Sequence, residues 1–165
     1  MRFTVDQVFD SDIDAVVRAF GDQALYDQLP ELPKLSRPDV LSHDVDGDVV
    51  TMRIRYRFDG ELSSAARAVL DPGRLSWVER STHDLAARHG TFTMEPDHYA
   101  DRFRCTGSFR YLDDGDGCRR LVEGDLRVRA PLVAGAVERA IVSGLREHLE
   151  EQAPAVDAFL RSSSV

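Results

Sequence analysis

The sharpest pattern in the chain runs from Asp48 to Phe58, where Met52, Ile54, Tyr56 and Phe58 alternate with Arg53, Arg55 and Arg57. Only a strand with one buried face explains that separation, so the apolar set is expected to look into a core. The same period of two recurs from Arg2 to Phe9, where Phe3, Val5 and Phe9 share a side. From Tyr99 to Leu112, an aromatic face of Tyr99, Phe103, Cys105, Phe109 and Tyr111 opposes Arg102, Arg104, Thr106, Ser108 and Arg110. From Cys118 to Ala130, Val122, Gly124, Leu126 and Val128 are expected inward and Glu123, Asp125, Arg127 and Arg129 outward. Two further strands are expected over Arg74 to Asp84 and Ala86 to Glu95. In the first, Trp77 argues that Glu79, Ser81 and His83 share its inward face; in the second, burial of Phe92 and Met94 sets the register. A shorter strand, Asp39 to His43, joins Asp48 to Phe58 through Asp46-Gly47, a dipeptide suited to a tight hairpin. The pattern therefore predicts about seven strands, all compatible with antiparallel pairing.

Helical spacing replaces strand alternation in three places. Ser11 or Asp12 can cap a helix with Ile13, Val16, Val17 and Phe20 on one face and Gly21 at its end, and a second short helix follows over Asp22 to Leu29. Pro30-Glu31-Leu32-Pro33-Lys34-Leu35-Ser36-Arg37-Pro38 cannot continue it and is expected to be a connector. Leu62 to Leu70 reads as a short inserted helix, stopped by Asp71-Pro72-Gly73. Beyond Pro131, Val133, Val137, Ile141, Leu145 and Leu149 fall at helical spacing and predict a helix of about twenty residues. Pro154 is expected to bend or end it, with another turn or two carried by Val156, Phe159 and Leu160 before the polar tail.

Composition narrows the class. The 165 residues suffice for one domain, expected to span 1–165, with a hydrophobic core and no need of disulfides or metals. A content of 42% apolar and 30% charged residues is that of a globular protein. The N-terminus carries acids where a signal peptide needs a basic start and an apolar run, and no stretch reaches the length of a membrane span, so a soluble, cytoplasmic protein is expected. A net charge of −8 argues against nucleic-acid binding. Lys34 is the only lysine among 21 basic residues, a bias that fits a GC-rich coding sequence. Cys105 and Cys118 flank the turn Leu112–Gly117 and are expected about six residues out of register, roughly 20 Å apart, too far for a disulfide. No CxxC or HxxxH spacing occurs, so neither a metal site nor a cofactor is expected.

The order of elements, together with the segment Gly124 to Leu160, resembles the START-like superfamily, also called SRPBCC or Bet v 1-like. That segment holds an alternating strand, a Pro-Leu-Val-x-Gly junction and an apolar helix with an early glutamate. Within the superfamily the chain looks most like a bacterial branch of unknown function. The resemblance implies an α+β helix-grip fold, in which a curved antiparallel sheet packs around a long C-terminal helix, with two short helices after the first strand. It also implies an internal cavity for an apolar small molecule such as a lipid, isoprenoid or polyketide, and it carries over no catalytic residues.

On that fold the expected cavity-lining set is Met52, Ile54, Tyr56, Phe58, Trp77, Glu79, Ser81, His83, Phe92, Met94, Phe103, Cys105, Phe109, Tyr111, Val137, Ile141 and Leu145. Gly107, Gly124, Gly135 and Gly144 either enlarge the cavity or permit close packing and sheet bending. Glu79 and His83, with Tyr56 or Tyr111, could orient a polar group of the ligand or perform the acid–base chemistry of the superfamily's cyclases and dehydratases. The plainer alternative pairs Glu79 with an arginine and leaves His83 at a wet rim. Arg88, near an entrance, could meet a carboxylate or phosphate or remain solvated, and His148 could add a polar point at one end of the cavity. The outward Arg53, Arg55, Arg57, Arg80, Arg102, Arg104, Arg110, Arg127 and Arg129 could dock on an anionic membrane, or else pair with acids across strands. A noncatalytic binding or carrier protein is the leading expectation, ahead of an enzyme using the same cavity and a protein-interaction module with a filled interior. The pattern sets no oligomeric state.

Overall fold

The computed structural model describes residues 1–164; Val165 lies outside them. The elements are β1 (Arg2–Phe9), α1 (Ile13–Phe20), α2 (Gln23–Gln28), β2 (Asp39–Asp46), β3 (Val49–Arg57), α3 (Ser64–Arg67), a 3-10 turn (Pro72–Arg74), β4 (Ser76–Asp84), β5 (His89–Pro96), β6 (Phe103–Asp114), β7 (Gly117–Val128) and α4 (Ala134–Ser163). The strands form one sheet in the order β1-β7-β6-β5-β4-β3-β2, and every neighbouring pair is antiparallel. Their concave, apolar face closes over α4, which contributes buried Val137, Ile141 and Leu145. This is the helix-grip arrangement, with the core between sheet and helix.

The local reasons are visible in the sequence. Asp12 caps α1 by accepting from the Asp14 and Ala15 amides, and the helix buries Ile13, Val16, Val17 and Phe20. Ser63 caps α3 in the same way, but only four residues are helical, fewer than the nine expected from Leu62 to Leu70. Gly47 and Asp48 form the loop between β2 and β3, one residue later than the expected Asp46-Gly47 turn, because Asp46 pairs with Val49 and Gly47 takes the positive φ of 59°.

Three strands begin two or more residues later than expected. Residues 85–88 form a four-residue turn with Arg88 at φ 59°, so β5 starts at His89 rather than Ala86. Tyr99 has φ 60° and lies in the loop before β6, where its hydroxyl accepts from the Asp71 amide; it takes no part in the aromatic strand face assigned to it. The strand expected from Arg74 starts at Ser76, after the 3-10 turn. The β6–β7 register pairs Cys105 with Leu126 and Cys118 with Asp113, leaving both cysteines buried and free.

The C-terminal helix differs most. Pro131 does not enter its first turn, because Leu132 has φ 65° and breaks the path. The helix starts at Ala134, and Glu138 ties that start to the sheet by accepting from the Val128 amide at 2.9 Å. At the other end Pro154 does not stop the helix, which continues for 30 residues to Ser163. Tertiary contacts hold the second half in place. Gln152, Ala153, Val156 and Asp157 are buried, and the Asp157 carboxylate accepts from the Asp10 and Ser11 amides and from the Ser11 hydroxyl. Three such bonds to a buried carboxylate offset the roughly 3 kcal/mol that an interior proline costs a helix.

Candidate functional site

Register brings the inward side chains into rows across the sheet. Three of these rows contain the same device, a phenylalanine directly opposite a glycine: Phe3 with Gly124, Phe92 with Gly107, and Phe109 with Gly90. In each pair the ring lies over the glycine, and a Cβ there would fall 2.3–2.4 Å from ring carbon. Phe58 covers Gly144 of α4 similarly, at 2.6 Å. The glycines therefore do not enlarge the interior, as one of the two expectations held. Aromatic rings fill the space they leave, and of the four glycines singled out only Gly135 borders open space, apart from the tip of Arg139.

What remains is a narrow pocket between the sheet, α2, the connector and α4. It is lined by Phe3, Phe20, Tyr26, Leu35, Tyr56, Trp77, Glu79, Phe92, Met94, Arg120, Val122, Leu145, His148, Leu149 and Gln152. Its atom-free space, mouth included, is about 610 Å³, yet only about 50 Å³ is open to the centres of water molecules. That is room for a few waters or a small group. A wider groove at the sheet's outer rim, between Arg102, Arg104, Arg127, Arg129 and Glu138, is shallow and charged. The interior pocket is the better candidate because buried polar groups converge on an apolar wall there.

Of the residues expected to line a cavity, Tyr56, Trp77, Glu79, Phe92, Met94 and Leu145 do border this pocket. Phe103 and Ile141 border a smaller recess behind Trp77. Met52, Ile54, Phe58, Ser81, His83, Cys105, Tyr111 and Val137 face inward but are enclosed in the surrounding core, and Phe109 packs beside them on Gly90.

Glu79 keeps part of its surface open to the pocket while the walls shield it from bulk water. Burial pushes its carboxyl above the ordinary range, and the Arg120 charge opposes that rise. It forms no ion pair with an arginine among the described residues. Tyr26 and Tyr56 are raised by burial too, with Glu79 adding to the effect and Arg120 opposing it. His148 sits at the α4 side, with Nδ1 3.2 Å from the Pro33 carbonyl oxygen and its ring edge-on to Tyr56. The Trp77 indole N–H is buried without a partner.

His83 does not lie at a wet rim. It is 3% exposed, its ring centroid is 4.9 Å from that of Phe109, and its Nε2 is 3.0 Å from the Ser81 hydroxyl. Burial, aided by the Arg120 charge, pushes its pKa down to about 3. Burial likewise raises the Cys105 thiol to about 12 and the Cys118 thiol to about 11, which removes them as nucleophiles. Arg88 pairs with Asp14 at 2.8 Å and Asp113 at 3.7 Å, away from the pocket. On the outer face Arg53, Arg55, Arg57, Arg110 and Arg127 pair with Glu95, Asp97, Asp59, Glu123 and Asp125.

Arg120 is the charged pocket-lining residue that the sequence pattern did not single out. It lies on β7 two residues before Val122, and hence on the same inward face; carrying the alternation of Val122, Gly124 and Leu126 back toward Cys118 would have found it. Among the described residues no cluster of His, Cys, Asp or Glu is arranged to hold a metal. No helix there is long and apolar enough to cross a membrane.

Residues 4–160 match the family described as protein of unknown function (DUF2505), and the chain belongs to it. No curated protein matches it in sequence. Among solved structures it is similar to the protein TTHA0849 from Thermus thermophilus, at TM-score 0.70 and 17% identity over 100% of both chains. It is also similar to the Zhui aromatase/cyclase from Streptomyces sp. R1128, at TM-score 0.65 and 16% identity over 100% of this chain and 96% of that one. Norcoclaurine synthase from Thalictrum flavum matches at TM-score 0.65 and 17% identity, over 97% of this chain and 86% of that one. At these identities the likeness establishes the Bet v 1-like fold.

Proposed function

We propose that the protein is a noncatalytic binder or carrier of an apolar, ring-bearing small molecule held between the sheet and α4. The observation that carries this reading is an aromatic-walled pocket into which Glu79 and Arg120 project without an ion pair, beside an unpartnered Trp77 N–H. Buried polar groups are normally satisfied, and leaving them open costs about 1–3 kcal/mol each. A ligand that completes such groups recovers that cost. The small free volume favours a compact body over a bulky one, with side-chain movement admitting anything larger.

The test is native mass spectrometry of freshly purified protein, followed by organic extraction and identification of what is released. A reproducible apolar ligand supports the reading. A clean apo mass, together with no response of Trp77, the single tryptophan, to any aromatic ligand, overturns it in favour of a protein-facing role.

A second reading, an enzyme acting in the same pocket, rests on Glu79. A carboxyl held above its ordinary range by burial can serve as a proton donor. Turnover of a bound substrate that disappears in Glu79→Gln while binding persists would replace the carrier reading.

A further inference from the structure

We propose that this pocket selects an anionic ligand, an apolar ring-bearing body with a carboxylate, and that Arg120 receives the carboxylate. The inference rests on the reading of the pocket as a small-molecule site and adds the chemical class of what enters it.

Arg120 is 8% exposed, and its guanidinium is stacked between Phe20 and Phe109, 4.2 and 4.5 Å from their ring centroids. Nη1 donates to Gln7 Oε1 at 2.9 Å. Gln7 is held in turn by its own amide, which donates to the Leu149 carbonyl at 2.6 Å and to Gln152 Oε1 at 3.2 Å. The guanidinium is thus fixed from both sheet and helix. Its Nε–H is buried with no partner, and no carboxylate ion-pairs with it among the described residues.

That absence is informative in a chain with 29 acidic residues, where surface arginines such as Arg55 and Arg127 find carboxylates readily. An arginine keeps its charge inside a protein, and burying a cation without a counter-ion costs several kcal/mol. Three aromatic rings, the third being Tyr111 at 5.9 Å, and one neutral amide offset only part of this. With its flat faces covered, the guanidinium can offer a ligand only its edge, the geometry in which it meets a carboxylate through paired, charge-assisted bonds. Glu79, the one acid in the wall, sits on β4, two strands beyond the β6 neighbour of β7; its charge and that of Arg120 act on each other across the pocket, but the two form no ion pair that would satisfy the guanidinium.

The experiment compares 4-phenylbutyrate with 4-phenylbutan-1-ol, which share a body and differ in the headgroup charge, by calorimetry and by Trp77 fluorescence. Wild type is expected to bind the acid at least about tenfold more tightly than the alcohol, the discrimination of one charge-assisted contact. That preference should vanish in Arg120→Gln. It should vanish also in Gln7→Glu, which keeps the guanidinium but supplies an internal counter-ion, so a folding defect in either variant leaves the other informative. Equal affinities in wild type, or an acid preference that survives both substitutions, overturn the role of Arg120 while leaving the pocket as a binding site. Failure of both probes to perturb Trp77 overturns the pocket reading and this inference together.

Discussion

Replacing His83 by leucine should change how the protein responds to acid more than it changes the protein at neutral pH. The imidazole is enclosed beside Phe109, and burial with the nearby Arg120 charge lowers its pKa from the usual 6.5 to about 3. The unfolded chain therefore binds a proton at this site between about pH 6.5 and pH 3 that the folded protein refuses. The contribution is fully present above pH 6.5 and is lost as pH falls through that window. Between pH 7 and pH 4 the loss integrates to about 3 kcal/mol, a large part of a typical domain's stability. His83→Leu removes the titration but leaves an unpartnered Ser81 hydroxyl, which lowers stability equally at every pH. Urea unfolding of both proteins at pH 7, 6, 5 and 4 separates the two effects, because carboxylates elsewhere titrate alike in both. The difference in stability between the two proteins is expected to shift by about 3 kcal/mol in favour of the leucine variant between pH 7 and pH 4. Parallel curves would refute the argument that His83 is held neutral. The same result bears on chemistry, since an imidazole with so little proton affinity is a poor general base near neutrality, which removes His83 from an enzymatic reading and leaves the groups that line the pocket, Glu79 first among them.

Three further substitutions test the scaffold. Asp157→Ala should cost about 2–4 kcal/mol in chemical denaturation, because the Asp10 and Ser11 amides lose their acceptor; a cost below about 1 kcal/mol would mean that water replaces the carboxylate. Gly107→Ala should cost about 1–3 kcal/mol, since the new Cβ would lie 2.3 Å from the Glu123 carbonyl oxygen and 2.4 Å from the Phe92 ring, and the first of these is backbone. A neutral result by thermal or urea unfolding would show that β6 and β7 yield easily there. Pro154→Ala should raise stability by about 1–3 kcal/mol by restoring an interior amide and its bond to residue 150; an unchanged midpoint would indicate that the helix is already adapted to the proline.

Element type was readable wherever one periodicity ran uninterrupted, which is why β1 and β3 were recognisable from alternation alone and α1 from its cap and its stripe. The errors concentrate where the backbone leaves the common regions. Arg88, Tyr99 and Leu132 all have positive φ without being glycine, so nothing in their residue types announces the turn, and the strands and helix that follow them start later than their periodicity suggests. Pro154 misleads for the opposite reason. Its local preference is real, but contacts more than a hundred residues away in sequence, from Asp157 to the turn after β1, override it. Glycines in strands were ambiguous between void and packing because the deciding fact is register: only once Phe3, Phe92 and Phe109 are known to sit opposite Gly124, Gly107 and Gly90 does the interior turn out to be filled with rings.

Two buried ionisable side chains show how the scaffold can be told from the site. Asp157 and Arg120 are comparably enclosed, and either would be costly to bury alone. Asp157 accepts three hydrogen bonds from one turn, so its needs are met within the fold and its role is to hold α4 against β1 and α1. Arg120 receives one neutral acceptor and three aromatic rings, retains an unpaired N–H, and borders the pocket. A fold under selection for stability alone would place an apolar residue at that position, as it does at Val122 and Leu126 on the same face. An incomplete charge beside open space is where local consistency fails, and such failures are expected at functional sites. Arg120 is accordingly the residue on which ligand chemistry should depend, and Asp157 the residue on which the fold should depend.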